Sequence, residues 1–196
     1  MHLMQITKHA HHALNAAVNT SGFAHPGRNV AELGIEPGMK VADFGSGSGA
    51  YVFTIAEILR GNGHAYAIDV QKDLLRKTKN EATRRGYKNV EVLWGDLESA
   101  GGSKLAERSV DLVLISNLLF QVREKKIVIA EAWRILQSNG QLVIIDWSDS
   151  FRGMGPQQSD VVTKEKAIAL ALESGFQLAR EFSAGAHHYG LIFLRK

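Results

Sequence analysis

A short apolar strand that runs straight into a glycine-spaced loop is the feature that most narrows the fold of this 196-residue chain. Val41-Ala42-Asp43-Phe44 leads into Gly45-Ser46-Gly47-Ser48-Gly49, and a helical stretch from Tyr51 to Arg60 follows. Glycines at this spacing let a backbone turn tightly and approach a ligand closely. A loop that feeds a helix N-terminus also favours an anionic group. The dinucleotide fingerprint Gly-x-Gly-x-x-Gly fails, because Ala50 and Val52 follow the last glycine. Alone, the loop signals a nucleotide site and nothing narrower.

The rest of the chain repeats the strand-then-helix pattern. Strands are predicted over Lys40–Phe44, Ala65–Ile68, Val90–Trp94, Val110–Ile115 and Gln141–Ile145, with two more at Phe176–Phe182 and Tyr189–Leu194. Between them lie helices over Tyr51–Arg60, Lys72–Arg85, Glu124–Leu136 and Thr163–Ser174. Their stop signals are Gly61-Asn62-Gly63, Gly86, Asn139-Gly140 and Gly175. Such alternation implies a doubly wound α/β fold, a mostly parallel seven-stranded sheet covered by helices on both faces. The last connection, Ser183–His188, is too short for a crossover helix, so the final two strands must form an antiparallel hairpin. Ahead of the sheet, apolar residues at helical spacing from Leu3 to Ala17 predict an amphipathic helix. A loop over Asn19–Gly27 and a short helix over Arg28–Leu33 follow it. Residues 1–38 therefore read as an N-terminal helical cap segment and 39–196 as the nucleotide-binding domain.

Composition narrows the chemistry. There are no cysteines, which removes disulfides, thiolate zinc sites, iron–sulfur clusters and a cysteine nucleophile. A net charge of +3, from 23 basic and 20 acidic residues, is too balanced to argue for nucleic acid. The basic stretch from Lys72 to Lys88 reads as a solvated helix face rather than a phosphate-binding one. No apolar run approaches the roughly 20 residues of a membrane span, and the expected setting is cytoplasmic. His9, His11 and His12 lack a nearby carboxylate in their helix and read as solvated histidines, so no metal site is expected.

In sheets of this type ligands bind beyond the carboxyl ends of the strands. The Gly45–Gly49 loop, Asp69, Asp96 and Asn117 all fall there. Asp69 follows Gly49 by 20 residues and can accept both ribose hydroxyls. Asp96 can accept from an exocyclic amine. With these residues in place, the chain resembles the class I S-adenosylmethionine (SAM)-dependent methyltransferases, of the small-molecule type similar to ubiquinone/menaquinone-biosynthesis enzymes. Val41–Tyr51 resembles the family's first motif, Gly95-Asp96-Leu97 its adenine-side motif, Asp111–Val122 its fourth motif and Leu136–Trp147 its post-motif strand. The resemblance covers roughly Arg28 to Lys196. It implies SAM as cofactor and S-adenosylhomocysteine as product. It also implies that Asp43, Gly45, Ser46, Gly47 and Gly49 form the loop around the aminocarboxypropyl arm, and that Asn117 lies near the methionine moiety. Asp69 would bind the ribose, Val70 would pack on the adenine, and Asp96 and Leu97 would contact its edge.

For the acceptor side, the hairpin turn should return His187, His188 and Tyr189 to the carboxyl edge, beside Asp146. These four are the candidate catalytic or substrate-binding residues, with His25 a candidate to close over the site. Ser116-Asn117 stands where a magnesium-dependent relative would need an acid, so a metal-independent reaction is expected. The Asn- or Asp-Pro-Pro-Tyr motif of amino-methylating nucleic-acid enzymes is absent after the fourth strand. The favoured reading is in-line methyl transfer to a small-molecule acceptor by a monomer or homodimer. Alternatives are a non-catalytic SAM- or nucleotide-binding regulatory protein, a methyltransferase acting on RNA or protein, and a nicotinamide oxidoreductase.

Overall fold

A computed structural model describes residues 24–196. The helix read over Leu3–Ala17, and with it His9, His11 and His12, lies outside the described residues.

Each element begins and ends where local chemistry dictates. The first helix, α1 (Pro26–Ala31), has Pro26 in its first turn and the His25 ring capping the Arg28 N–H. Strand β1 (Lys40–Phe44) is buried from Val41 onward and delivers the chain to the glycine loop. Helix α2 (Ala50–Leu59) starts at Gly49 (φ 86°), where an added Cβ would collide with the Phe53 ring at 2.8 Å. Strand β2 (His64–Asp69) and helix α3 (Lys72–Arg85) follow; α3 has Asp73 in its first turn, Arg84 and Arg85 in its last, and stops at a left-handed Gly86. After β3 (Val90–Trp94) and β4 (Val110–Ser116) comes α4 (Lys125–Ile135). The Glu98 carboxylate accepts the Arg123 and Glu124 N–H groups at 2.6 and 2.8 Å just before α4. Strand β5 (Leu136–Trp147), helix α5 (Lys164–Glu173, capped by Thr163), β6 (Phe176–Gly185) and β7 (His188–Arg195) complete the chain.

The seven strands form one sheet in the order β3-β2-β1-β4-β5-β7-β6. Every neighbouring pair is parallel except β5–β7 and β7–β6, so β7 alone runs against the rest. The expected doubly wound sheet with its antiparallel C-terminal hairpin is what the chain forms. The order reverses between β1 and β4, which opens a crevice at their carboxyl ends. Strand alternation splits the core into two. One face packs Val41, Leu112, Leu114, Val143 and Ile145 against α1, α2 and α3. The other packs Ala42, Phe44, Val113, Ile115 and Ile144 against α4 and α5. No helix among the described residues is long and apolar enough to cross a membrane.

Some boundaries shift by up to three residues, the short helix read over Arg28–Leu33 spanning Pro26–Ala31 and the strand read over Phe176–Phe182 running to Gly185, and one departs further. Asn139-Gly140 does not end α4. The helix stops at Ile135, and Leu136 already pairs with Val110. The next pair is Leu112 with Gln141, so residues 137–140 loop out of β5 as a bulge with Asn139 at φ 64°. Leu136 is wholly buried, and holding it in register outweighs the turn propensity of the pair that follows.

Candidate functional site

The glycine loop is pinned from two sides. Gly45 and Ser46 donate to the Ile68 carbonyl at 2.8 and 3.1 Å, and Thr78 Oγ1 donates to the Gly47 carbonyl at 3.2 Å. Asp69 holds the loop as well: its Oδ2 accepts the Gly47 N–H at 2.9 Å while Oδ1 accepts the Gln71 N–H at 2.8 Å. Each carboxylate oxygen keeps a lone pair for a further donor. Asp69 thus fixes the loop's shape and still lines the crevice.

In the crevice lies a cavity of about 380 Å³, within the range of small-molecule sites. Six residues expected at the cofactor line it: Gly45, Gly47, Asp69, Val70, Asp96 and Leu97. Asp96 accepts from the Glu98 N–H at 3.0 Å and from Ser99 Oγ at 3.1 Å, which shapes the turn beneath it. Gly95 and Glu98 complete the walls together with Gln71, Leu74, Leu118, Gln121 and Val122, and to none of these does the sequence by itself assign a role. The last three sit in a turn after β4, closed by Gln121 and Val122 donating to the Leu118 carbonyl. The sequence signal for them is their place in Asp111–Val122, the stretch that resembles the family's fourth motif, which gives none of the three a role of its own.

Four expected residues stand around rather than in that cavity. Gly49 serves as the α2 N-cap. Asp43 is 2% exposed at the end of β1. Burial, and then the charge of Asp69, push its carboxyl from 3.8 up to about 7. Asp43 Oδ2, Ser46 Oγ and Asn117 Oδ1 are buried without a hydrogen-bond partner, as are Ser116 Oγ and both ring nitrogens of His188. Buried polar side-chain atoms are nearly always paired. Here all of the unpaired ones among the described residues gather at the carboxyl edge of the sheet. Asn117 is itself held at φ 53°, a left-handed conformation uncommon outside glycine.

The four candidate catalytic residues divide by strand alternation. Asp146 pairs with Tyr189, and Trp147 with His188. Asp146 and Tyr189 therefore point to the α4–α5 face and into packing. Asp146 accepts the Leu119 and Trp147 N–H groups at 2.9 and 2.8 Å, and burial lifts its carboxyl to about 6. The Tyr189 hydroxyl donates to the Val162 carbonyl at 2.9 Å, and burial raises its pKa. Both are thus held by backbone groups on that face of the sheet, away from His188. His188 faces the other way and lies against Trp147, ring centroids 4.3 Å apart and tilted by 43°. Burial first, then the neighbouring His187, lower its pKa from 6.5 to about 4. His187 sits in the β6–β7 turn, 2.9 Å from Asp149 Oδ1 and stacked on Phe151 at 4.0 Å, where it organises the segment after β5. His25 caps α1 rather than closing over the site. Among the described residues, no group of three acidic or histidine side chains could hold a metal ion.

A donor bearing positive charge suits the unpaired acceptors at Asp43 and Asn117, and a polar planar group suits the Asp96–Leu97 end. Comparison with known proteins identifies the family. A family model described as a methyltransferase domain matches residues 35–180. Aklanonic acid methyltransferase from a Streptomyces species is 30% identical over 122 residues, 61% of this chain and 54% of that protein. Arsenite methyltransferase from Halobacterium salinarum is 28% identical over 120 residues, 61% of this chain and 30% of that protein. The matched region thus spans about a third to a half of these curated relatives. The crystal structure of a SAM-dependent methyltransferase from Aquifex aeolicus superposes with a TM-score of 0.79 at 26% identity, covering 87% of this chain and 89% of that one. From the sheet order, the glycine loop and these matches together, the chain belongs to the methyltransferase-domain family of class I SAM-dependent methyltransferases.

Proposed function

We propose that this protein transfers a methyl group from SAM to a small-molecule acceptor and releases S-adenosylhomocysteine. The observation that carries the reading is the set of unpaired buried polar atoms at the carboxyl edge, where Asp43 Oδ2 and Asn117 Oδ1 border the glycine loop. When bound, SAM supplies a methyl group already activated on a sulfonium. The protein's part is placement. Gly45 and Gly47 let the backbone approach the amino-acid tail, and Asp43 and Asn117 accept from its ammonium. Asp69 takes the ribose hydroxyls with the lone pairs left after fixing the loop. Val70 and Leu97 flank the adenine, and Asp96 accepts from its amine. On the acceptor side His188 stays neutral at ordinary pH, which leaves an unprotonated ring nitrogen to accept a hydrogen bond from the acceptor. The transfer is metal-independent in this reading, because Ser116-Asn117 ends β4 and Asp146 is committed to backbone N–H groups. A cytoplasmic setting rests on the globular composition alone.

The acceptors named for the relatives, aklanonic acid among them, support a small molecule. Arsenite, a thiophilic acceptor, would find no thiolate in these 196 residues. Calorimetry with SAM and labelled-methyl transfer into a metabolite extract test the proposal together. Micromolar binding with label appearing in low-mass products is expected. Binding without transfer would make the protein a SAM sensor, and preferential binding of a nicotinamide nucleotide would refute the reading outright.

A further inference from the structure

On the sheet face opposite Asp146 and Tyr189, a second set of polar groups reaches from β1 to β7. Asn29, on α1, is 3% exposed. Its side-chain amide donates to the Tyr51 hydroxyl at 3.0 Å and to the Ala184 carbonyl at 3.1 Å. Both hydrogens of that amide are thereby used, so the Tyr51 oxygen is fixed between α1, the first turn of α2 and the end of β6. Its own O–H is not used by either of these bonds, and Ser116 and Asp43 lie close to it. Ser116 Oγ stands beside it but outside hydrogen-bonding geometry, and is one of the unpaired buried atoms. Across the sheet, Ser116 neighbours Ile145, Ile145 neighbours Gly190, and His188 lies two residues from Gly190 towards the carboxyl edge. Two strand spacings across and two residues along β7 put Ser116 and His188 about 12 Å apart along the backbone, with their side chains on the same face. Ile145 and Trp147 lie on the same face between them.

We propose that Tyr51, positioned by Asn29, orients the methyl acceptor between Ser116 and His188, and that this subsite selects uncharged acceptors bearing a hydroxyl or an amine. The proposal rests on the methyltransferase reading. Its polar groups are two hydroxyls and an imidazole, with the Asp43 carboxyl at the cofactor end. The one buried lysine or arginine among the described residues, Arg195, lies at the far end of β7. An acceptor carboxylate or phosphate would be desolvated here without a counter-charge and next to an acid, which is strongly unfavourable. A neutral hydroxyl or amine meets the Tyr51 O–H as donor. Transfer breaks the sulfonium C–S bond as the new bond to that oxygen or nitrogen forms, S-adenosylhomocysteine leaves, and the acceptor's proton goes to solvent, while a neutral His188 ring nitrogen accepts a hydrogen bond from the acceptor.

The test uses matched probes that differ by one carboxylate: phenol against 4-hydroxybenzoate, and aniline against 4-aminobenzoate. Each is titrated by NMR into protein saturated with S-adenosylhomocysteine. The uncharged member of each pair should bind at least tenfold tighter. Tyr51→Phe should weaken phenol binding about tenfold while SAM affinity by calorimetry stays within about twofold. Asn29→Ala should reproduce much of that loss, yet add less than twofold in the Tyr51→Phe background. A purely structural role would make the Asn29→Ala effect equal in both backgrounds and overturn the positioning claim. Equal or tighter binding of the carboxylated probes, no binding of either uncharged probe, or an unaltered Tyr51→Phe would overturn the assignment. Loss of SAM binding by the wild type would instead fell the methyltransferase reading on which the assignment stands. Melting temperatures of all variants separate a misfolded protein from a mispositioned hydroxyl.

Discussion

Asp43→Asn should make the cofactor-free protein more stable at neutral pH while it weakens cofactor binding. The Asp43 carboxyl is buried, one oxygen lacks a donor, and Asp69 is close. An acid whose folded pKa is raised binds more protons folded than unfolded between its two pKa values. Stability therefore falls as pH climbs through that window. For Asp43 the window runs from 3.8 to about 7. The loss across it is about 4 kcal/mol, or about 10 °C in melting temperature for a domain of this size. Asparagine does not ionise and keeps the shape, so the variant should match the wild type near pH 4 and gain on it steadily until about pH 7. Urea unfolding without cofactor, at half-unit steps from pH 4 to pH 8, measures the difference directly. A difference that stays flat across that range would refute the claim that Asp43 is held in an unfavourable ionised state. In the same variant SAM affinity should fall roughly 10- to 100-fold, since the ammonium loses its charged partner.

Three further outcomes are expected. The ring protons of His188, followed by NMR, should show no titration between pH 8 and pH 5, because burial holds its pKa near 4; a midpoint near 6.5 would mean the ring is solvated. The folded pKa is lowered, so this group costs stability as pH falls below 6.5. Glu131→Gln should destabilise by about 3 kcal/mol at pH 7, read from urea unfolding. Although burial pushes Glu131 up, Arg134 and the Ser103 hydroxyl and N–H hold its carboxyl down to about 2, and that stabilisation is present above 4.5 and lost towards pH 2. Gly102→Ala would place a Cβ 1.8 Å from the Asp96 carbonyl oxygen and should displace the turn beneath the cavity. A drop of about tenfold in SAM affinity by calorimetry is expected, and unchanged affinity would separate that turn from the cofactor site.

Much of this site is visible in the sequence because its parts are local. Glycine spacing, an acid ending each of two strands and the stop signals between elements are chain-neighbour properties, and they put Gly45, Gly47, Asp69, Val70, Asp96 and Leu97 at one cavity. The short Ser183–His188 connection likewise dictated an antiparallel hairpin. Face was the property that local reading left undecided. His188 and Tyr189 are adjacent in sequence, as are Asp146 and Trp147, and a strand turns each pair to opposite sides of the sheet. Only the register of β5 against β7 shows that His188 faces Trp147 while Asp146 and Tyr189 settle into the scaffold. Asn29 and Tyr51 are the clearest case. They lie 22 residues apart, and Asn29 lies 155 from Ala184, and no spacing rule joins them. They meet because α1 and α2 pack on the same face of the sheet, where β6 also ends. The proposed cofactor seat is written in short motifs, whereas the proposed acceptor seat needs distant elements to share a surface.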